Sequence, residues 1–244
     1  MTTYTQRGLH GRLVHDIGVR IVRGQLSPGD VIDTAATEEE HGVSRTVVRE
    51  AIRVLAAKGL VDALPKRGTI VRAPTGWNLL DPDVLAWKFA EGPDVGTLRA
   101  LHEVRLIFEP AGARLAAARA DHTDLAAISA AMAAMREHHG DVEAVIVDDI
   151  RLHRAILAAT HNLLMPAFES LIEAGLRARN RIMLARVSTP SYLDRHAAVV
   201  QAIADRDGDA AETAMRRLLE DAAADDERVH GGGAIVDGAS AGQA

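Results

Sequence analysis

The chain of 244 residues contains no cysteine, and aromatic residues make up only 3% of it. Without cysteine, neither disulfide bonds nor thiolate metal sites hold the fold together. No apolar run approaches the ~20 residues that span a bilayer, and the start, MTTYTQRGLHGR, lacks the apolar stretch of a secretion signal. Because 48% of the residues are hydrophobic and alanine is abundant, closely packed helices are expected rather than sheet. Composition therefore predicts a mainly α-helical, cytoplasmic protein.

Charge is unevenly distributed along the chain. The first 73 residues carry 11 Lys and Arg against 8 Asp and Glu, whereas the remaining residues carry 17 against 26. The whole chain has a formal net charge of −6. A mildly basic N-terminal part ahead of an acidic one fits a nucleic-acid-binding module joined to a second domain.

The N-terminal residues have the pattern of a winged helix-turn-helix over residues 8–73. Apolar spacing, a capping Ser44 side chain and glycines after the helices predict three helices at about 9–23, 34–41 and 44–58. The following sequence LVDALPKRGTIVRA predicts two short strands around a turn, at 60–64 and 69–72. A helix-turn-helix followed by a small basic hairpin is the expected order.

The third predicted helix carries Arg45, Arg49 and Arg53 on one face, one turn apart. These charges repel each other unless a negatively charged partner lies along them; the alternative is a solvated basic face. In this motif, residues at the start of the second helix of the helix-turn-helix contact base edges, and the wing meets phosphate or the minor groove. Lys58 is treated as a surface position. The expected DNA contacts are Ser44, Arg45, Thr46, Arg49, Lys66 and Arg67.

The rest of the chain is predicted to be helical. Residues 74–82 contain two prolines and a glycine and are expected to be a linker. Residues 83–230 are expected to form an antiparallel helical bundle for effector binding and dimerisation, and residues 231–244 a flexible tail. The predicted helices lie at about 81–91, 94–119, 121–139, 141–160, 162–187, 190–206 and 208–229.

Three residues of this part could form a metal site. Asp149 and His153 are four residues apart, so both side chains can point into the bundle from one helix face. A carboxylate and an imidazole at this spacing are half of a divalent-metal site, and His196 opens another apolar helix face. The alternatives are a helix-surface pair for Asp149 and His153 and a lone polar residue for His196.

The segments VSRTVVREAIRVLAAKGLV, KRGTIV and IVRGQLSPGD resemble the DNA-binding domain of GntR-family transcription regulators over about residues 8–73. The resemblance implies that Arg45, Thr46, Arg49 and the wing glycine Gly68 contact DNA. That family usually has a DNA-contacting arginine in its second helix. This chain has Ala35 there, so its operator or its affinity is expected to differ.

The segments LHEVRLIFEPAGARLAA, DDIRLHRAILAATHNLLM and DRHAAVVQAIADRDGDAAETAM resemble the FCD effector domain of the FadR subfamily over about residues 94–220. Many such domains hold a divalent metal through an Asp and three His and bind a carboxylate effector. The resemblance implies that Asp149, His153 and His196 are ligands of one divalent metal, zinc or similar, with Leu218 in place of the third histidine. It also implies that Arg105 faces the effector carboxylate; the alternative is an ion pair with Glu109.

The segments GWNLLDPDVLAW, DIRLHRAILAATHN and AIADRDGDAAE resemble the branch that represses galactonate and related sugar-acid catabolism. The expected function is a homodimeric, DNA-binding repressor that a sugar acid or its keto-deoxy product releases. Three alternatives stay open at this point. They are a regulator that responds to lactate or another organic acid, an architectural DNA binder, and a metal-dependent enzyme, although no nucleophile motif, phosphate loop or HExxH is present.

Overall fold

The structure, a computed structural model, describes residues 8–64, 67–89, 95–169, 171–173 and 190–231. It divides into two compact units, Met1–Pro93 and Asp94–Ala244. Each unit has its own hydrophobic core.

The first unit contains four helices and a three-stranded antiparallel sheet in its described residues. The helices are α1 (Gly8–Val22), α2 (Thr34–His41), α3 (Arg45–Ala57) and α4 (Pro82–Phe89), and the strands are β1 (Val31–Ile32), β2 (Val61–Leu64) and β3 (Gly68–Val71). The strand order is β1-β3-β2, with Val31 opposite Ile70 and Val61 opposite Val71. The predicted winged helix-turn-helix is confirmed, and β1 is an additional strand that the sequence analysis did not include.

Local hydrogen bonds fix the two helices of the helix-turn-helix. The Asp33 carboxylate accepts from the backbone N–H groups of Ala35 (2.9 Å) and Ala36 (3.1 Å) and thereby starts α2. Ser44 occupies the corresponding position before α3, but its side chain makes no capping hydrogen bond. The predicted side-chain cap is therefore wrong, because only the extended backbone of Ser44 serves the helix start.

Helix α4 belongs to the first unit, where it packs against α1. The sequence pattern predicted residues 83–89 to belong to the bundle and residues 74–82 to be the linker. In the structure the buried Trp87 and Val84 join the core of the first unit, and the boundary falls between Pro93 and Asp94. The prediction of a helix at about 81–91 was correct, but its assignment to the bundle was wrong. The sequence pattern of a helix does not show which other helix it packs against.

The second unit is an all-helical bundle in its described residues. Its helices are α5 (Val95–Arg119), α6 (His122–Glu137), α7 (Val142–Ala158), α8 (Pro190–Ala204) and α9 (Gly208–Gly231), with a short 3₁₀ turn at Met165–Phe168. Each α-helix begins and ends within three residues of its predicted bounds. The predicted helix at 162–187 is wrong at its start, because residues 163–164 form a turn and Met165–Phe168 the 3₁₀ turn. Most of its remainder lies outside the described residues, as do Lys66 and the predicted tail from residue 232 onward.

Small residues let these helices approach closely. Ala113, Ala116 and Ala117 of α5 are completely buried, and α5 packs against α7, α8 and α9. Aspartates cap the helix that follows a short connection: Asp121 forms a capping box with Asp124 at the start of α6. This packing brings α5, α7 and α8 together, and these three helices carry the buried residues Arg105, Glu109, Asp149, His153 and His196.

Candidate DNA-binding surface and buried Asp–His site

Helix α3 presents its polar face to solvent. Ser44, Arg45, Thr46 and Arg49 are exposed, whereas Val48 on the opposite face is completely buried. Since the Ser44 hydroxyl does not cap the helix, it can take part in contacts outside the chain. All four predicted contact residues of the helix therefore lie on one accessible face.

The three arginines of α3 differ in their partners. Arg53 pairs with Glu50 at 2.6 Å between Nη1 and Oε1, while Arg45 and Arg49 make no ion pair within the described part of the chain. An arginine without a carboxylate partner can turn its planar fork toward a guanine edge or a phosphate. This favours Arg45 and Arg49 over Arg53 as the reading residues.

The wing and α2 lie beside this helix in the same unit. Arg67 and Gly68 are exposed at the turn between β2 and β3, where the Arg67 N–H donates to the carbonyl of Leu64 at 3.2 Å. Lys66 lies outside the described residues. Ala35 is exposed in the first turn of α2, and its methyl group offers no hydrogen-bond donor to DNA.

The second unit contains a chain of buried charged groups. Arg105 and Glu109 project from α5, Asp149 and His153 from α7, and His196 from α8, and each is at most 5% exposed. Arg105 Nε donates to Glu109 Oε1, and Glu109 Oε2 lies 2.5 Å from His153 Nδ1. The Asp149 Oδ1 atom lies 3.3 Å from His153 Nε2 and 3.1 Å from His196 Nε2. The three residues of the predicted metal site thus meet.

Outer partners orient both histidine rings. His196 Nδ1 lies 2.8 Å from the carbonyl oxygen of Tyr192, which can only accept, so Nδ1 carries the proton. An ionised Glu109 carboxylate fixes the Nδ1 proton of His153 in the same way. A ring that carries no second proton turns its Nε2 lone pair toward Asp149, which is the form that binds a metal. Carboxylates or carbonyls behind a metal-binding histidine commonly act in this manner.

Neighbouring positive groups keep Glu109 and Asp149 ionised. Burial opposes the charged form of Glu109, but Arg105 and His153 outweigh it and lower the pKa of Glu109 to about 2. Burial likewise opposes protonation of His153, yet Glu109 and Asp149 raise its pKa to about 9. For Asp149, burial is outweighed by His196 and His153, which hold its pKa well below the usual range.

The donor set fits a divalent metal. Neither buried oxygen of Asp149 receives a hydrogen bond of good geometry, so this desolvated carboxylate has two imidazole neighbours but lacks well-formed hydrogen bonds within the described residues. One ligand atom from each of Asp149, His153 and His196 lies within 4.8 Å of the others. Tetrahedral ligands at bond lengths of about 2.0–2.1 Å are about 3.3 Å apart, close to the distances from Asp149 Oδ1. Two imidazoles and a carboxylate suit zinc or a similar ion.

A small cavity of about 10 Å³ adjoins the cluster. Besides the three clustered residues, its walls include Arg105, Tyr192, Arg195 and Leu218. Leu218 contributes only carbon atoms to this wall, where the resemblance leads one to expect a third histidine. Asp149, His153 and His196 would therefore supply three ligands to a divalent ion and leave a further position for water or for an oxygen of a bound molecule.

Sequence reasoning missed part of this site. It considered Glu109 only as a partner of Arg105, whereas Glu109 also contacts His153, 44 residues away. It did not include Tyr192 or Arg195; the Arg195 side chain lines the cavity and its Nη1 lies 3.2 Å from Asp221 Oδ2. Arg195 directly precedes His196 in the sequence, so the prediction of His196 as a site residue could have drawn attention to its neighbour Arg195.

Two family models match this chain. Residues 9–71 match the bacterial regulatory proteins of the gntR family, and residues 100–221 match the FCD domain. The chain belongs to the GntR family. Members of this family are DNA-binding transcription regulators rather than enzymes, so the expectation of a ligand-responsive regulator is confirmed and the enzyme alternative is set aside.

Relatives extend over most of this GntR-family chain. It is 38% identical to the galactonate operon transcriptional repressor of Escherichia coli (strain K12), over 85% of this chain and 92% of that protein. It is 32% identical to the HTH-type transcriptional regulator LutR of Bacillus subtilis (strain 168), over 80% and 90%.

A solved structure agrees with the fold. The structure of Lar, which controls the expression of the Listeria monocytogenes agr system, covers 91% of this chain and 98% of its own, with a TM-score of 0.63 and 17% identity. At this identity the likeness supports the fold alone. Among the described helices, none combines the length and the apolar character of a bilayer-spanning segment.

Proposed function

We propose that this GntR-family protein is a cytoplasmic, homodimeric repressor of sugar-acid catabolism genes, released from its operator by a galactonate-like acid or its keto-deoxy product. The observation that carries the proposal is the meeting of Asp149, His153 and His196 beside a cavity that Arg105 also lines. The 38% identity to a galactonate operon repressor over most of both chains supports the choice of acid.

The chemistry of the cavity favours a small polyhydroxylated acid. We propose that Asp149, His153 and His196 hold one divalent ion, which would supply a positive charge and an open position for carboxylate or hydroxyl oxygens. Arg105 supplies a second positive group beside it. A fatty acyl chain would leave these buried polar groups unpaired, whereas a sugar acid brings a hydrogen-bonding oxygen on almost every carbon.

The size of the cavity implies that binding moves its walls. A volume of about 10 Å³ accommodates about one water molecule. A six-carbon acid therefore has to displace side chains when it enters. A bound form that differs from the free one is what a ligand needs in order to shift an equilibrium between DNA-binding and released states.

DNA reading requires two copies of the chain. A helix-turn-helix dimer places one recognition helix on each of two half-sites, one helical turn or a multiple of it apart. We propose that Ser44, Arg45, Thr46 and Arg49 of each copy read the major groove, and that Lys66, Arg67 and Gly68 follow the adjacent backbone.

The test is fluorescence anisotropy with a labelled duplex from the region upstream of the gene, at fixed salt. The purified protein is titrated alone and with D-galactonate, 2-dehydro-3-deoxy-D-galactonate, gluconate or L-lactate. We expect galactonate or its keto-deoxy product to release the DNA and lactate to leave it bound. Release by lactate alone would contradict the assigned acid, and no effect of any acid would indicate an architectural DNA binder.

A matched pair of variants ties the response to the cavity. Arg105→Lys keeps the charge beside Glu109 but loses the fork that binds a carboxylate through two parallel hydrogen bonds. Arg114→Lys makes the same change at an exposed position of the same helix. We expect the first variant to require at least about tenfold more galactonate for release, a loss of the size that a charged hydrogen bond contributes, and the second to respond as the wild type does.

A further inference from the structure

Lys58, expected to be a surface residue, is buried at the end of the recognition helix. The residue is 7% exposed and forms the C-cap of α3. Its Nζ atom lies 2.9 Å from both carboxylate oxygens of Asp81 and 2.6 Å from Asp83 Oδ2. Burial disfavours its charge, but Asp83 and Asp81 outweigh burial and raise the pKa of Lys58. The ammonium is therefore a fixed charge held by two carboxylates.

The two carboxylates start the next helix. Asp81 Oδ1 also accepts from the backbone N–H groups of Asp83 (2.9 Å) and Val84 (3.2 Å), at the beginning of α4. One ammonium thus joins the C-terminal end of α3, where carbonyl groups attract cations, to the N-terminal end of α4, where carboxylates are favoured. The two helix ends complement each other electrostatically through these three side chains.

Trp87 fastens the other face of α4 to α1. Its Nε1–H donates to His15 Nδ1 at 2.9 Å, and the Lys58 Nζ atom lies 5.8 Å from its ring centroid. A Cβ atom placed on Gly18 would lie 2.3 Å from the indole ring. The glycine is therefore required for α4 to dock at this depth.

The backbone before α4 is also held against the end of α3. The Asn78 N–H donates to the carbonyl of Lys58 at 3.0 Å. A Cβ atom on Gly59, which has a φ of +76°, would lie 2.5 Å from the carbonyl oxygen of Gly76. Only glycine permits both this backbone conformation and this approach. The segment from residue 74 to residue 89 therefore packs as part of the DNA-reading unit.

We propose that Lys58 is a positioning residue for DNA recognition. With Asp81 and Asp83 it holds α4 against the end of the recognition helix α3, so that loss of Lys58 weakens operator binding and with it the response to an effector. The regulatory half of this inference rests on the proposed function. Only residues 90–94 separate α4 from α5, the helix that carries Arg105 and Glu109.

The test uses the full-length protein and two quantities for each variant. The first is the operator Kd without any acid, and the second is the ratio of Kd values with and without saturating D-galactonate. For Lys58→Met we expect the operator Kd to rise about tenfold and the ratio to fall toward 1, within the usual range of coupling between sites. Lys58→Arg is expected to recover most of the operator affinity and most of the ratio. Lys88→Met, the same change on α4 away from the cluster, is expected to change neither quantity.

Intrinsic fluorescence gives a direct readout of the lock. Both tryptophans of the chain, Trp77 and Trp87, lie in this segment, so Trp77→Phe leaves Trp87 as the sole reporter beneath Lys58. We expect D-galactonate to shift the Trp87 emission in this background and not after the further change Lys58→Met. If Lys58→Met does not fold, Asp81→Asn replaces it, because that variant retains the 2.6 Å contact to Asp83.

The outcomes separate this inference from the proposed function. A folded Lys58→Met protein with an unchanged operator Kd and an unchanged ratio would overturn the positioning role. If the wild type ignores galactonate while Lys58→Met still weakens operator binding, the assigned acid fails and the lock on the recognition helix stands.

Discussion

Metal binding to the Asp149–His153–His196 cluster should compete with one proton, and the size of this competition follows from the site. The pKa of His153 is raised to about 9, so at pH 7 the ring is protonated in nearly every metal-free molecule. A metal at Nε2 has to displace that proton. Two pH units below the pKa, this displacement costs on the order of 3 kcal/mol. Apparent affinity should therefore be about 100-fold weaker at pH 7 than its limit above pH 9.

The raised pKa of His153 moves this competition to a higher pH range than an ordinary histidine would show. Because the folded-state pKa of His153 is raised, the proton is held below about pH 9 and metal affinity is lost as the pH falls. Isothermal calorimetry with Zn²⁺, in pH 7 buffers of different ionisation enthalpy, should show about one proton released per metal bound. Chelator competition should give a gain in affinity of about tenfold from pH 7 to pH 8 and a smaller gain as the pH approaches 9.

A control variant identifies the cause. Glu109→Gln removes a carboxylate 2.5 Å from the His153 ring, so the pH at which affinity levels off should move below 9. Zero proton release together with a flat profile between pH 7 and 9 would refute the argument, because it would mean that His153 is either neutral or not a ligand.

Three further changes test other parts of the structure. Arg49→Ala should weaken specific operator binding by about 1–3 kcal/mol, the usual value of an arginine–guanine contact. Arg53→Ala removes an arginine already paired with Glu50 and should weaken binding far less in the same anisotropy assay. Equal losses would count against Arg49 as a reading residue. Leu218→His should raise zinc affinity at least about 10-fold and blunt the response to galactonate, since the added ligand closes the open position; unchanged affinity by chelator competition would place residue 218 away from the metal. Gly18→Ala should lower the free energy of unfolding by about 1–3 kcal/mol, because the added methyl group overpacks against the Trp87 indole ring. At Gly140 a Cβ atom meets nothing within 4 Å, so Gly140→Ala should leave the melting temperature nearly unchanged.

Much of the fold was predictable because its signals are local. Helix ends in both units coincide with glycines and with capping aspartates, such as Asp33 and Asp121, that act within four residues. Strand β1 was missed because two residues carry no measurable alternation, and its partner β3 lies some 40 residues further along the chain. The assignment of α4 to the bundle failed for the same reason: Trp87 identifies its partner only through contacts with α1.

The candidate site divides in the same way. Asp149 and His153 are four apart on one helix, so their meeting follows from helical geometry. The contact between Glu109 and His153 joins two helices, and no spacing rule predicts it. Lys58 is the strongest case, since a lysine in a predicted helix end is ordinarily exposed, and only the fold reveals two carboxylates more than 20 residues away.

The two buried clusters of this protein balance charge by different means, and the difference suggests their roles. Lys58 is neutralised by Asp81 and Asp83, side chains of the same unit that stay in place whatever is bound, so that cluster can fix one arrangement of α3 and α4 but cannot sense a ligand. Asp149 is balanced by His196 and His153, and a metal can replace the proton on His153. A buried carboxylate whose counter-charge is exchangeable is able to register a change in its surroundings, because removing a partner from a buried charge is costly. On the proposed function, the second unit responds to the ligand and the first fixes the recognition helix. Lys58→Met should therefore alter the galactonate response without altering zinc affinity, and Leu218→His should alter both.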